Sequence, residues 1–439
     1  MVVYYCRNEK LLSLEAEGVK IGIVGFGAAT IGFLSRIKDS NHEVHVFEKS
    51  KDVHGSSISG IRSDGKLFIS SSMGGDIEIP IHVQESILDF YLSMLPPEDK
   101  ESVRTGVSFD SDSRYFQAFY SKGFEPVYAR YWHIGTDKLA GVLQRIYDEF
   151  SSYKNLHFHF GSRVEDIELR DNSAVLSGED FEAICDVVFI AVGRSGHDLI
   201  RLITRKYPQI VLSSNTVDIG VRYELPDHVV QHINEEMYEF KVRLRTRTGY
   251  LVRTFCNNPS GTVVLEDYGD FVTVNGHSNS GFSSSNTNFA VLCTTSFTEP
   301  FNDPIGYGSY ISRLSNILAG GRKVIVQTFR DFLESKRTKR LGRVYPTLGS
   351  GDYILGDINL VIPRRIALSL TEFINRLNEV IPGIGFDDNL MYAVEAKFYS
   401  NKLDNRAFER MKFIGDCSGH TRSITYATSH GIIEAEKLM

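Results

Sequence analysis

The segment Val19–Glu48 constrains this chain more than any other. Val19-Lys20-Ile21-Gly22-Ile23-Val24 has the pattern of a buried strand. Gly25-Phe26-Gly27-Ala28-Ala29-Thr30 follows at once, and Ile31, Phe33, Leu34 and Ile37 then draw a helical apolar stripe. Glu43-Val44-His45-Val46-Phe47-Glu48 is an alternating strand that ends in a carboxylate. Strand, glycine turn, helix, strand and acid make a βαβ unit with a right-handed crossover. Gly25 permits the tight turn. Gly27 lets a pyrophosphate approach the backbone, where the amides of a helix N-terminus face its charge. Glu48, 23 residues after Gly25, stands where a carboxylate accepts from ribose hydroxyls and repels a 2′-phosphate. Ala28, Ala29 and Lys49 flank these positions. Thr30 replaces the third glycine of the fingerprint, which predicts a helix set slightly farther from its strand.

The tail of the chain carries a second turn of this kind. Phe413-Ile414-Gly415-Asp416-Cys417-Ser418-Gly419 is followed by Arg422-Ser423-Ile424 and by a helix over Thr425–Lys437 with Ala427, Gly431 and Ala435. A strand–Gly–Asp turn feeding a helix suits the isoalloxazine half of FAD. The Asp416 carboxylate can bind a ribityl hydroxyl, the helix N-terminus favours an anionic reduced ring, and small residues allow close approach. Asp186–Val192 is a continuous apolar strand of a sheet covered on both faces, stopping at Gly193. The cofactor-binding candidates are therefore Gly25, Gly27, Ala28, Ala29, Thr30, Glu48, Lys49, Ala191, Gly193, Gly415, Asp416, Arg422, Ser423 and Ile424.

At 439 residues the chain exceeds the roughly 250–300 at which single cores stop growing, so two lobes are expected. With 42% hydrophobic and 23% charged residues, wholesale disorder, collagen-like structure and coiled coil are excluded. Its plainest apolar run, Val187–Val192, is far shorter than the roughly 20 residues of a membrane helix, and the N-terminus does not read as a secretory signal. A net charge of −7 disfavours a broad nucleic-acid surface. The five cysteines, Cys6, Cys185, Cys256, Cys293 and Cys417, are spaced neither as a disulfide framework nor as a CxxC site, which points to a cytoplasmic protein. The thirteen histidines show no ligand spacing along the chain and no HExxH, so no metal is expected.

Residues 50–82 are rich in Gly, Ser and Asp and read as loops near a ligand. Residues 83–104 read as helical, and 137–150 as an amphipathic helix capped by Asp137 or Thr136. Short strands are expected at 156–160 and 164–169. From 216 to 385 the strands become short, alternating and turn-punctuated, as in a mixed or antiparallel second lobe, with Ser278–Asn288 a surface or ligand loop. Residues 367–380 read as helical, and the last 27 return to α/β grammar. The expected fold class is α/β.

The chain resembles the uncharacterised FAD-dependent dehydrogenases, a branch of the glutathione-reductase-type flavoproteins with one Rossmann domain. The resemblance rests on Gly25–Thr30, Glu48, Ser63-Asp64-Gly65-Lys66-Leu67, His133–Asp137, Ala191–Gly196, Asp218–Arg222, Thr254–Pro259, Val274–Gly276, Tyr345–Thr347, Ile381–Gly383, Val394-Glu395 and Gly415–Ser423, in that order. It implies a Rossmann-like FAD-binding domain built from discontinuous segments (1–215 and 386–439, with a helical insertion near 81–130) and an α+β substrate or cap domain inserted at 216–385. It also implies that Gly25, Gly27 and Glu48 hold ADP, that the Val164 backbone covers adenine, and that Gly415 and Asp416 hold the isoalloxazine half.

Lys66, His133 and Cys417 are the catalytic candidates: a contact to flavin N5, a proton relay and a charge-transfer thiolate. Against these stand a turn lysine, a structural histidine at a helix start and a buried packing cysteine. Arg222, Arg253 and Glu395 are candidates for orienting a small-molecule substrate, with surface or interdomain pairing as the alternative. The expected activity is an FAD-dependent oxidoreductase passing a hydride through flavin N5, with NAD(P)H as a transient reductant because no second GxGxxG exists. A flavin monooxygenase, a flavin-dependent nucleotide- or RNA-modifying enzyme, and a non-enzymatic FAD redox sensor are the alternatives.

Overall fold

A computed structural model describes residues 18–55, 65–109, 113–237, 240–277, 283–298 and 300–439. It divides into two units, one of residues up to Arg104, Trp132–Ser213 and Ser400–Met439, the other of Thr105–Tyr131 and Ser214–Tyr399.

The first unit is built on a five-stranded parallel sheet. Its order is Met411–Phe413, Val187–Ile190, Lys20–Val24, Glu43–Glu48, Leu156–Phe160. Ile21, Ile23, Val44, Val46, Val188 and Ile190 are almost wholly buried, as in a sheet covered on both faces. The helix Ala28–Ile37 joins the central strand to its neighbour, and Thr136–Ser151 leads into the edge strand at Leu156. This second helix follows Gly135, whose φ of +97° only glycine adopts freely, so its cap falls at Gly135, one residue before the expected Thr136 and two before Asp137. An antiparallel meander of Asp166–Leu169, Ala174–Gly178 and Phe181–Cys185 completes the unit.

Helix Ala28–Ile37 and the C-terminal helix Ile424–Glu436 touch backbone to backbone. A β-carbon on Gly32 would lie 1.9 Å from the Thr428 carbonyl oxygen, and one on Gly431 would lie 1.9 Å from that of Ala29. Gly431, one of the small residues of the C-terminal helix, serves this helix crossing. The helix expected over 83–104 is broken. It runs Ile81–Ser93, restarts as Pro97–Lys100, and gives way to a strand at Arg104–Val107. Pro96 and Pro97 lack amide donors and force extended backbone before them.

The second unit is an eight-stranded mixed sheet. Its order is Tyr353–Leu355, Val324–Thr328, Leu390–Phe398, Val217–Pro226, Asn286–Thr295, Leu251–Asn258, Val242–Arg245, Glu125–Pro126. All neighbours are antiparallel except the first pair. Its boundaries differ from those expected. Leu390–Phe398 pairs with both Val324–Thr328 and Val217–Pro226, so the unit cannot end at 385. Glu125–Pro126, from the expected helical insertion, is an edge strand. Two central strands are ten residues long rather than short. The expected loop Ser278–Asn288 reaches into one of them: Asn286, Thr287 and Asn288 are buried strand residues. Their side chains contact Glu224, Asp227 and Arg222, a polar interior that reads as a loop in the sequence. Residues 278–282 of that stretch, and Ser63 and Asp64, lie outside the described residues.

Candidate functional site

The sheet of the first unit reverses direction at its central strand: the chain passes from Lys20–Val24 to one side and returns on the other at Val187–Ile190. In open α/β sheets ligands lodge at such a switch point, beyond the carboxyl ends of the strands. A cleft of about 410 Å³ lies there, lined by Gly25, Gly27, Glu48, Lys49, Val164 and Ala191 among others.

Gly25 has φ +100°, and its N–H donates to the Phe47 carbonyl at 2.8 Å. A β-carbon on Gly25 would stand 2.7 Å from the Ala191 carbonyl oxygen, so no larger residue fits the turn. Gly27 is the N-cap, and the bond from Ile31 N–H to its carbonyl is 2.9 Å. The amides of Ala28 and Ala29 precede that bond and belong to the helix N-terminus. Thr30 does not push the helix outward. Its hydroxyl is fully buried and donates to the Gly25 carbonyl at 2.6 Å, tying helix to turn.

Glu48 has a role that sequence spacing did not reveal. One carboxylate oxygen accepts from Phe26 N–H at 2.9 Å, and the other accepts from the amide and hydroxyl of Ser50 at 2.8 Å each. The carboxylate therefore braces the glycine turn as well as facing the cleft. Arg163 and Asp198 also line the cleft and were not anticipated, since both come from loop or helix-start positions without a motif.

The C-terminal turn sits against the same helix. Gly415 has φ +70°, and a β-carbon there would lie 2.7 Å from the Ala29 β-carbon. Asp416 Oδ2 is 3.2 Å from Arg194 Nε, and Thr421 Oγ1 donates to Asp416 Oδ1 at 2.7 Å. Burial pushes the Asp416 carboxyl above its usual range, with Arg194 and Thr421 opposing. Gly193, with φ +62°, precedes Arg194. Arg422 N–H donates to the Gly74 carbonyl at 2.7 Å, and the Ser423 side chain caps the helix that Ile424 begins by accepting from Tyr426 N–H.

Of the catalytic candidates, Cys417 is overturned as a thiolate. Its side chain is fully buried and donates to the carbonyls of Ile190 (3.0 Å) and Ile414 (3.2 Å). Burial pushes its pKa up to about 12, so it is a neutral packing group. Lys66 and His133 are both buried and stem from adjacent segments, joined by the hydrogen bond from Ile134 N–H to the Gly65 carbonyl (3.1 Å).

The three substrate candidates pair inside the second unit. Arg222 Nη2 and Glu395 Oε1 are 2.7 Å apart with both side chains at 0% exposure. Arg222 also donates to the Cys256 carbonyl and the Asn275 side chain, and Lys397 Nζ lies 3.3 Å from the same Glu395 oxygen, so the pair is buried among protein partners. Arg253 bonds Asp218 at 2.5 Å and Tyr399 at 2.9 Å. Burial would raise the Asp218 carboxyl, yet Arg253 and its other partners hold it below its usual range. Alternating strand residues looked like ligand-orienting charges only because their partners lie on other strands.

Residues 216–398 match a protein-family model described as "FAD-dependent protein, C-terminal domain-like". No curated protein matches the chain. Among solved structures, a flavoprotein/dehydrogenase from Cytophaga hutchinsonii aligns at 11% identity and a TM-score of 0.44, over 96% of this chain and 77% of that one. The 2,6-dihydroxypyridine-3-hydroxylase from Arthrobacter nicotinovorans aligns at 12% identity and a TM-score of 0.39, over 95% and 81%. Likenesses of this size assign no chemistry. Among the described residues no helix is long and apolar enough to cross a membrane.

Proposed function

We propose that the chain is an FAD-dependent oxidoreductase acting on a small molecule in the cytoplasm. The observation that carries this reading is the packing of Gly415 against Ala29, which brings the Gly-Asp turn of the tail to the helix that starts at the glycine turn. The family model matched at 216–398 supports it independently.

The residues present fit FAD. Gly25 and Gly27 offer bare backbone beside a helix N-terminus, as a pyrophosphate requires. Glu48 faces the cleft where an adenosine ribose would sit, and a carboxylate there disfavours a 2′-phosphate. The Val164 backbone would cover adenine, while Gly415 and Asp416 would hold the isoalloxazine half. When bound, FAD supplies hydride transfer between the substrate and a transient nicotinamide donor. The protein's share is to orient the rings, keep water out, and hold the start of the C-terminal helix, capped by Ser423, toward negative charge.

The test is the visible spectrum of the purified chain, followed by titration of apoprotein with FAD, FMN and NAD. Flavin bands and saturable, FAD-selective binding are expected, with Gly27→Leu losing binding. A colourless protein indifferent to FAD would refute the assignment. Anaerobic reduction by NADH against NADPH then distinguishes the donor.

A further inference from the structure

On the edge of the first unit's sheet, Glu43–Glu48 and Leu156–Phe160 run parallel with His45 opposite His157 and Phe47 opposite His159. Side chains alternate faces along a strand. Val44, Val46 and Leu156 are buried in the core on one face. Glu43, His45, His157 and His159 gather on the other. There His45 Nε2 is 2.8 Å from Glu43 Oε1, and His157 Nε2 is 3.7 Å from the same oxygen. These three ligand-capable atoms all lie within 4.8 Å of one another. Behind them His45 Nδ1 is 2.9 Å from His159 Nε2. The His45 ring stacks between its neighbours, 4.7 Å from His157 and 5.2 Å from His159.

We propose that Glu43, His45 and His157 bind a divalent transition-metal ion such as Zn²⁺, with His159 as a positioning residue for His45. Two imidazoles and one carboxylate are a ligand set suited to borderline ions. Bonds of about 2.1 Å place tetrahedral ligand atoms about 3.4 Å apart. The observed 2.8 and 3.7 Å straddle that edge, and the two imidazole nitrogens, within 4.8 Å of each other, have to draw together by side-chain rotation to close the site. The side chains of Glu43 and His157 are 52% and 42% exposed, which gives an ion access and leaves a fourth position to water.

The inner contact organises the site. To ligate through Nε2, His45 must carry its proton on Nδ1 and donate it to His159 Nε2, the usual arrangement behind a metal-bound imidazole. Lys20 on the adjoining strand works against a cation here, and the Glu43 carboxylate offsets it. The ligands escaped notice in the sequence because they come from two strands more than a hundred residues apart.

The test is calorimetric titration of the metal-free full chain with Zn²⁺ at neutral pH. One ion per chain is expected. His157→Ala and Glu43→Gln should each weaken binding by at least about tenfold. The exposed His197→Ala should leave it unchanged. His159→Gln should weaken binding and alter its dependence on pH. With Co²⁺ as probe, a ligand-field absorption should appear and be lost in His157→Ala. Absence of saturable binding, or equal affinity in His157→Ala and the parent chain, would overturn the proposal. Circular dichroism of each variant separates loss of ligands from loss of fold.

Discussion

Gly431 and Ala29 meet so closely that a β-carbon on the glycine would stand 1.9 Å from the Ala29 carbonyl oxygen. Through this contact the helices Ala28–Ile37 and Ile424–Glu436 pack directly on each other. Both proposed cofactor turns hang from that helix pair, Gly27 as the cap of one helix and Gly415 against Ala29.

Gly431→Ala must therefore separate two backbones, and overpacking of this kind costs about 1–3 kcal/mol or more. Its melting temperature should fall clearly. Gly141→Ala, in the exposed interior of a helix with nothing within 4 Å, should instead gain up to about 1 kcal/mol. Thermal unfolding of the two variants checks the contrast. Equal behaviour would contradict the helix crossing.

Gly25→Ala places a β-carbon against the Ala191 carbonyl at a positive φ. Flavin retention should collapse, and the protein should lose stability by about 1–3 kcal/mol. Glu48→Gln removes the charge but keeps the shape. It should weaken adenosine binding and loosen the Phe26 and Ser50 contacts, which equilibrium dialysis and unfolding report separately.

Cys417 should resist alkylation in the folded chain, because burial keeps its thiol protonated far above neutral pH. Cys417→Ala should retain any flavin reduction rate within a factor of about two. Rapid labelling of Cys417 under native conditions, read by mass spectrometry, would contradict the buried thiol.

Burial acts to raise the pKa of Glu434, but His430 and Lys437 outweigh it and hold the carboxylate at about 2. An unfolded glutamate titrates near 4.3. The folded pKa is depressed, so the stabilisation is complete above about pH 5. It is lost as pH falls through 4 toward 2. Glu434→Gln should therefore cost on the order of 3 kcal/mol at pH 7 and almost nothing near pH 2. Denaturant unfolding across that range checks the convergence.

Removing Arg222 leaves Glu395 beside Lys397 at 3.3 Å, whereas removing Glu395 leaves the buried Arg222 charge without a carboxylate. Glu395→Leu should cost about 3–5 kcal/mol, and the double variant Arg222→Met/Glu395→Leu clearly less than the sum of the two single changes. Additive losses would mean that the pair is not coupled.

The elements that a local pattern can specify were legible in the amino-acid sequence. Val19–Glu48 folds as strand, turn, helix and strand because apolar period and glycine placement act over a few residues. The acidic elbow at Gly415–Asp416 and the buried strand ending before Gly193 follow from the same local logic. Partnership across the chain was decided only by tertiary structure. Arg222 and Glu395 look like ligand-binding charges until sheet pairing seals them together, and Cys417 looks reactive until its surroundings exclude water. Asn286–Asn288 read as loop because polar composition hides a strand whose hydrogen-bond partners lie on other segments. His45 and His157 become neighbours through the register of two parallel strands. Burial, register and charge pairing depend on segments distant in sequence, and no window along the chain contains both partners.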